Sequence, residues 1–341
     1  MTNKTTTAIR ALGGIMIGAA LIASGAGAPG TAWAQAKTVL KSADVHPPGY
    51  PTVEAVTRMG KKLETATNGR LSIEIFPSMQ LGAEKETIEQ AQVGALQMLR
   101  VSVGPVGTIV DEVNVFNMPF AFRDVAHMNK VVDGPIGQEL LDKITSSPQS
   151  KLVGLAWFDG GARSVYNSKR PIKTIDDLKG LKIRMIGNPI FIDTMNALGG
   201  NGIAMGFDQL YNALQTGVVD GAENNPPSYE SGKHYQIAKF YSMTEHLILP
   251  EILAFSRVAW DKLNAADQAL VRKLSKEAQL EARVLWNERE KKSLDIIKAA
   301  GIEIYNFPPA EKKRFQDAVK PVWDKHGAKY ADMVKRIQDV K

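Results

Sequence analysis

The chain contains no cysteine. That absence excludes disulfides, thiolate metal sites, thiol nucleophiles and a lipid-modified N-terminal cysteine. Histidine is sparse: His46, His127, His234, His246 and His326 are scattered without the spacing of a metal-binding pair. Zinc-protease, phosphate-loop and nucleophile-elbow patterns are missing too. The cluster Gly200-Asn201-Gly202 has the wrong spacing for a dinucleotide fingerprint and reads as a turn. Charge of one sign is likewise lacking. With 42 basic and 36 acidic residues and a formal charge of +6, the surface is mixed and solvated, with no basic stripe for a nucleic acid. No metal or cofactor is expected on these grounds. A catalytic site assembled from distant residues would leave no local trace, so a missing motif is weak evidence against an enzyme.

What is present begins at the N-terminus. Lys4 and Arg10 are the only charges before residue 34, and residues 11–28 are an unbroken run of Ala, Gly, Ile, Leu, Met and Ser. A positive start, an apolar middle and a small-x-small exit at Ala32-Trp33-Ala34 or Ala34-Gln35-Ala36 form a secretory signal over residues 1–34, cleaved near Ala34 or Ala36. A membrane anchor is the alternative, since a stretch of this length can just span a bilayer. No later segment is long and apolar enough to do so. Cleavage removes Lys4 and Arg10 and no acid, taking the charge from +6 to +4. The mature chain is expected free in the periplasm. About 300 residues approach the limit of a single core, so two lobes are expected.

Periodicity outlines an α/β organisation. A strand over 37–43 and the turn-rich residues 46–51 precede a helix marked by Val53, Val56, Met59 and Leu63, which Asn68-Gly69 stops before an alternating strand at 71–76. A second helix is expected over 84–98 and a buried strand over 151–158. A second lobe opens near Gly160-Gly161, with strands at 163–167 and 182–186 and helices at 189–198 and 207–217, a pattern of a mostly parallel sheet. Residues 265–300 form one proline-free helical pattern. Some thirty residues make a helix about 45 Å long, enough to cross both lobes. The expected lobes are 37–160 plus about 250–289, and 161–249 plus about 290–341, with a cleft between them.

Three segments carry polar chemistry in apolar surroundings. Two place an arginine on or beside a strand, Arg163 in 160–167 and Arg184 in 178–189. A buried guanidinium is costly unless an anion meets it, and its planar fork suits a carboxylate. That anion can be a structural Asp or Glu as well as a ligand. The third segment, 218–229, contains Asn224-Asn225-Pro226-Pro227. Paired asparagines can orient a carboxylate and a hydroxyl together, and the same residues also make a plain turn.

Taken together, these segments resemble the DctP-like solute-binding proteins of the tripartite ATP-independent periplasmic (TRAP) transporters. The resemblance lies in Leu181-Lys182-Ile183-Arg184 followed by Asp220-Gly221-Ala222-Glu223-Asn224, with Phe207 opening the stretch between them, and in Gly161-Ala162-Arg163 and Gly82-Ala83-Glu84. It covers essentially the whole mature chain and the signal. It implies a two-lobed periplasmic-binding-protein fold with a ligand cleft, closure on binding, and a long helix spanning both lobes. It also implies that Arg184 salt-bridges a ligand carboxylate, assisted by Arg163 and Asn224, with Phe207 against the ligand's apolar face. Contacts from His46, Glu84 and Arg100 of the first lobe, and from Asn188, Asn225 and Trp157, complete the expected site. A doubled asparagine departs from the family's single one before proline. Residues 42–56 resemble the branch that takes uronic acids such as glucuronate and galacturonate.

The resulting expectation is a monomeric, non-enzymatic binder of a sugar acid that delivers it to TRAP permease subunits. A C4-dicarboxylate, or a diacid held partly by Arg100, is the alternative ligand. The competing class is a periplasmic enzyme using Glu84 and Glu223 as acid and base.

Overall fold

The computed structural model describes residues 37–341. The expected signal and its cleavage site lie outside the described residues. Among them, no helix is long and apolar enough to cross a membrane.

Among the described residues nine strands form one mixed sheet: β1 (Thr38–Ala43), β2 (Leu71–Phe76), β3 (Met98–Ser102), β4 (Leu152–Asn167), β5 (Lys182–Met185), β6 (Asn201–Ala204), β7 (Gly221–Asn224), β8 (Phe240–Ser256) and β9 (Glu303–Tyr305). Their order is β2-β1-β3-β8-β4-β7-β5-β6, with β9 on β8. Pairing is parallel in the wings, β2-β1-β3 on one side and β7-β5-β6 on the other, and where β9 joins β8. At the centre β3, β8, β4 and β7 pair antiparallel. The sheet is therefore less parallel than the alternation of elements suggests, because two long strands run between the wings in opposite directions.

Those strands, β4 and β8, hold 16 and 17 residues. At about 3.3 Å per residue each spans roughly 50 Å. One end of the pair joins β3 and the other joins β7 and β9. Residues 151–158 and 163–167, read separately from the sequence, thus belong to a single strand. Its ladder shifts register between Asp159 and Ala162, where Gly161 has a φ of +63°. A Cβ at Gly161 would lie 2.7 Å from the Trp286 ring, so the bulge needs glycine for both conformation and space.

The helix Ala265–Ala299 starts from Asn264, whose side chain accepts the Asp267 N–H. Arg70 holds Asp267 in a bidentate ion pair. Val271, Leu274, Ala278 and Ala282 recur at helical spacing and pack with Leu40, Leu63 and Leu71 beneath the first wing. One turn further Trp286 meets Tyr50 and Val53, and Ile297 joins Tyr166, Leu210 and Tyr241 beneath the second wing. The helix spans both wings, as the resemblance implies.

Elsewhere the elements differ from expectation. The helix expected over 84–98 ends at Gln92, because Gly94 turns at φ +81° and Met98 begins β3. The Gly200-Asn201-Gly202 cluster leads into β6. Strand β8 was not anticipated: Pro250 and Glu251 interrupt its apolar run, yet both are buried in the sheet.

Gly161→Ala combines left-handed backbone strain of about 1 kcal/mol or more with overpacking of about 1–3 kcal/mol against Trp286. A urea melt is expected to show a loss of about 2–4 kcal/mol, and a wild-type midpoint would contradict this reading of the bulge.

Candidate functional site

The parallel wings bring their strands' carboxyl ends together, where open α/β sheets place ligand sites. Val45 and His46 follow β1, and Ser102 closes β3. Opposite them Arg184 lies in β5, Asn224 ends β7, and Phe207 opens the helix Phe207–Thr216 after β6. Glu84 stands at the N-terminus of the helix Glu84–Gln92, and Arg163 and Glu251 come from the long strands β4 and β8. These residues, with Arg100, Ile186 and Ser228, line an inner chamber of about 30 Å³. A larger cavity of about 540 Å³ shares Glu84, Arg184, Ile186 and Phe207 with it and adds Met205, Pro105 and Thr108.

The three arginines differ in what already surrounds them. Arg163 is paired: Nε and Nη2 grip the two Glu223 oxygens at 2.6 and 2.7 Å, and Nη1 donates to Asn224 Oδ1 at 2.7 Å. Glu223 is fully buried and the fork is bidentate, so Arg163 has a structural counter-ion. Its role is to hold Asn224, whose Oδ1 also accepts the Asn225 N–H at 2.9 Å.

Arg100 is surrounded by acid. It donates to Asp44 at 2.8 and 3.2 Å, to Glu84 at 2.7 Å and to Glu251 at 3.1 Å. Asp44 is held below the usual carboxylate range by Arg100, against the opposing effect of burial. Glu84 Oε1 also accepts the Ser102 N–H and Oε2 the Ser102 hydroxyl.

Arg184 is only 3 % exposed, and its one hydrogen bond runs from Nε to the Met205 carbonyl at 2.8 Å. It forms no ion pair among the described residues. Burial holds its pKa below the ordinary guanidinium value, with Glu223 opposing from a distance and Arg163 adding to the depression. The Phe207 ring lies 6.0 Å from the guanidinium carbon. The group remains charged, because guanidinium does not deprotonate in proteins. A buried cation with two unengaged nitrogens is the arrangement a ligand carboxylate satisfies.

His46 packs on Tyr50 at 3.7 Å and meets Phe207 edge-on at 5.8 Å. Burial, reinforced by Arg100, pushes its pKa down to about 3. The neutral ring has one N–H and one lone pair, and neither nitrogen has a partner.

Seven of the nine expected ligand residues therefore meet at the chamber: His46, Glu84, Arg100, Arg163, Arg184, Phe207 and Asn224. Two do not. Asn188 caps the helix Pro189–Ala197, accepting from the Ile190 N–H, and its amide donates to Gly104 O at 2.8 Å and Asn114 Oδ1 at 3.0 Å. Asn225 caps the helix Pro226–Ser231 and donates to Gly160 O at 2.7 Å. Both side chains are engaged in holding backbone. Trp157 is also displaced from its expected place, being fully buried with its indole N–H on Gly137 O. The sequence reading missed Glu251, Ser102 and Ser228. Each lies where no short motif marks it, and only the pairing of β3 with β8 brings Ser102 opposite Glu251.

Comparison with known proteins matches this geometry. Residues 42–330 fit the profile of the bacterial extracellular solute-binding proteins of family 7, DctP. A solute-binding protein of Chromohalobacter salexigens is 36 % identical over 297 residues, covering 87 % of each chain. A TRAP periplasmic solute-binding protein of Pseudomonas putida F1, solved with bound D-glucuronate, is 54 % identical and superposes with a TM-score of 0.87, over 89 % of this chain and 98 % of its own. A Citrobacter koseri TRAP solute-binding protein is known in two states. Its D-glucuronate complex gives 0.87 at 44 % identity, over 89 % of this chain and 100 % of its own. Its open apo form gives 0.78 at 42 %, over 88 % and 98 %. The conformation described here is the nearer to the ligand-bound one. With a family profile matched over residues 42–330 and a relative 36 % identical over 87 % of each chain, the chain belongs to the family 7, DctP-type, bacterial extracellular solute-binding proteins.

Proposed function

We propose that this protein is the periplasmic solute-binding component of a TRAP transporter, capturing a uronic acid such as glucuronate or galacturonate and delivering it to the membrane permease. The observation that carries the reading is Arg184, a buried guanidinium without a counter-ion among the described residues. Similar proteins with bound D-glucuronate, at 54 % and 44 % identity, support the ligand class.

In this reading the second wing takes the carboxylate. Arg184 binds it directly, Arg163 orients Asn224, and Phe207 covers the apolar face of the sugar. The first wing presents His46, Ser102 and the acidic group around Arg100, which suit hydroxyls. A dicarboxylate is disfavoured, because Arg100 is already matched by Asp44 and Glu84 and a second ligand carboxylate would meet those charges in a low-dielectric chamber. An enzymatic reading is disfavoured as well. Its acid and base, Glu84 and Glu223, are both engaged, and Glu223 is fully buried in the Arg163 fork.

The lobes assigned to 37–160 plus about 250–289, and to 161–249 plus about 290–341, close on the ligand by bending β4 and β8 near Gly161. Contacts across this division hold the closed form. Tyr50 Oη and Ser228 Oγ lie 2.9 Å apart, and Asn188 reaches Gly104 and Asn114. A signal at residues 1–34, cut near Ala34 or Ala36, accounts for export, and the mature protein acts as a monomer.

Arg184→Ala is expected to remain folded and to lose D-glucuronate affinity by at least about a hundredfold, since a desolvated charge pair is broken. Calorimetry showing a loss within about tenfold, ~1.4 kcal/mol, would remove the salt bridge from the account. Arg184→Lys is also expected to bind poorly, because an ammonium cannot reproduce the fork. In a thermal-shift panel glucuronate or galacturonate is expected to raise the melting temperature; stabilisation by succinate, malate or fumarate alone would overturn the uronate assignment. Saturating ligand is expected to shrink the radius of gyration, and unchanged small-angle scattering would count against closure.

A further inference from the structure

The first wing places three carboxyl groups, Asp44, Glu84 and Glu251, around the single guanidinium of Arg100. They are not equally supported. Asp44 Oδ1 accepts from Arg100 and from the His46 N–H, and Oδ2 from the Thr52 hydroxyl at 2.6 Å. Both Glu84 oxygens accept from Ser102, one of them from Arg100 as well. Glu251 has one contact, from Arg100 to Oε1 at 3.1 Å, and its buried Oε2 has no partner.

The fold makes a specific place for this side chain. Glu251 lies in mid-sheet, opposite Ser102 on β3 and Phe158 on β4, and is 5 % exposed. A Cβ at Gly160 would stand 3.1 Å from its Cγ, so the glycine leaves it room. It lines the inner chamber together with His46, Glu84 and Arg184. Two buried carboxyl groups and the half-buried Glu84 beside one guanidinium leave an excess of negative charge, and a proton settles on the acid with the fewest donors.

We propose that Glu251 meets the ligand as a neutral carboxylic acid, donating its Oε2–H to a ligand hydroxyl, and that it is a selectivity residue of this site. The assignment rests on the cleft taking a hydroxyl-bearing carboxylate. A protonated carboxyl offers a donor to an oxygen of the sugar, and the neighbouring Asp44 and Glu84 charges keep a second ligand carboxylate away. Burial pushes the Glu251 pKa up to about 8, with Glu84 and Asp44 adding to the rise against Arg100 and Arg163.

The consequence is a proton linked to binding. In the open cleft, water reaches the carboxyl and its pKa falls toward the ordinary range of about 4.3. Closure on ligand raises it. The affinity gained from the protonated acid is fully present below the open-state pKa and is lost as pH rises toward about 8, above which affinity levels off. His46 acts with the opposite sign, since its closed-state pKa is near 3 and closure releases a proton wherever the open-state ring is charged. Working at pH 7.5, about a unit above an ordinary histidine, removes most of that contribution.

The test is calorimetry of the full mature protein with D-glucuronate at pH 7.5 in buffers of different ionisation enthalpy, with affinities measured from pH 7 to 9. Wild type is expected to take up a substantial fraction of one proton on binding and to lose affinity by up to about tenfold per unit until it levels off. Glu251→Gln keeps a donor and an acceptor of the same shape, so it is expected to bind within about tenfold of wild type, without proton uptake and without the pH dependence. Wild-type binding with no proton uptake and a flat profile would overturn the role of Glu251 and leave the uronate reading standing. So would a folded Glu251→Gln that loses binding by more than about a hundredfold, because an ionised carboxylate would then be required. Failure of wild type to bind either D-glucuronate or D-galacturonate at pH 7 overturns the uronate reading and this assignment with it.

Discussion

A buried positive charge that none of the described residues neutralises is the constraint on which the rest of the site depends. Arg184 is held by β5 between β6 and β7, fixed through Nε to the Met205 carbonyl and flanked by Phe207. The other two arginines show that the fold can neutralise a guanidinium where it needs to. Arg163 is chelated by Glu223, and Arg100 faces three acids. The cleft is consequently polarised, with cationic capacity on the second wing and acidic, hydrogen-bonding capacity on the first. A solute with a carboxylate at one end and hydroxyls at the other is matched to that division, and a symmetric diacid is not.

Closure follows from the same sheet. Chamber-lining residues come from both wings, while β4 and β8 are continuous through both, so in the proposed closure the wings stay joined by backbone that bends. Gly161 marks the bulge in β4, and Trp286 of the long helix packs directly on it. A ligand that contacts both wings favours the closed arrangement by its differential affinity for the two states, which is the form in which a membrane partner can recognise a loaded protein.

Local pattern carried much of this. The helix beginning at Pro51, the alternating strand β2 and the helix Ala265–Ala299 follow from periodicity and turn residues, because their burial is one-sided and regular. Strand β8 was illegible, since a central strand buried on both faces has no alternation and this one contains a proline and a glutamate. The resemblance to TRAP solute-binding proteins brought Arg184, Arg163, Asn224 and Phe207 to attention, but residue type could not distinguish their roles. The neutralisation of Arg163 by Glu223 depends on the register of β4 against β7, sixty residues apart in the chain. Asn188 and Asn225 lie off the chamber lining, because an asparagine before proline is equally suited to capping a helix, and both cap one here. Glu251 was invisible because its importance comes from the acids around it, which only the tertiary fold assembles.

The most direct test of the central claim is a crystal structure of the mature protein with D-glucuronate. The account predicts a closed cleft with the sugar carboxylate on the Arg184 guanidinium, at about 2.7–2.9 Å through both free nitrogens. A carboxylate seated on Arg100, with Arg184 left to hydroxyls or water, would contradict it.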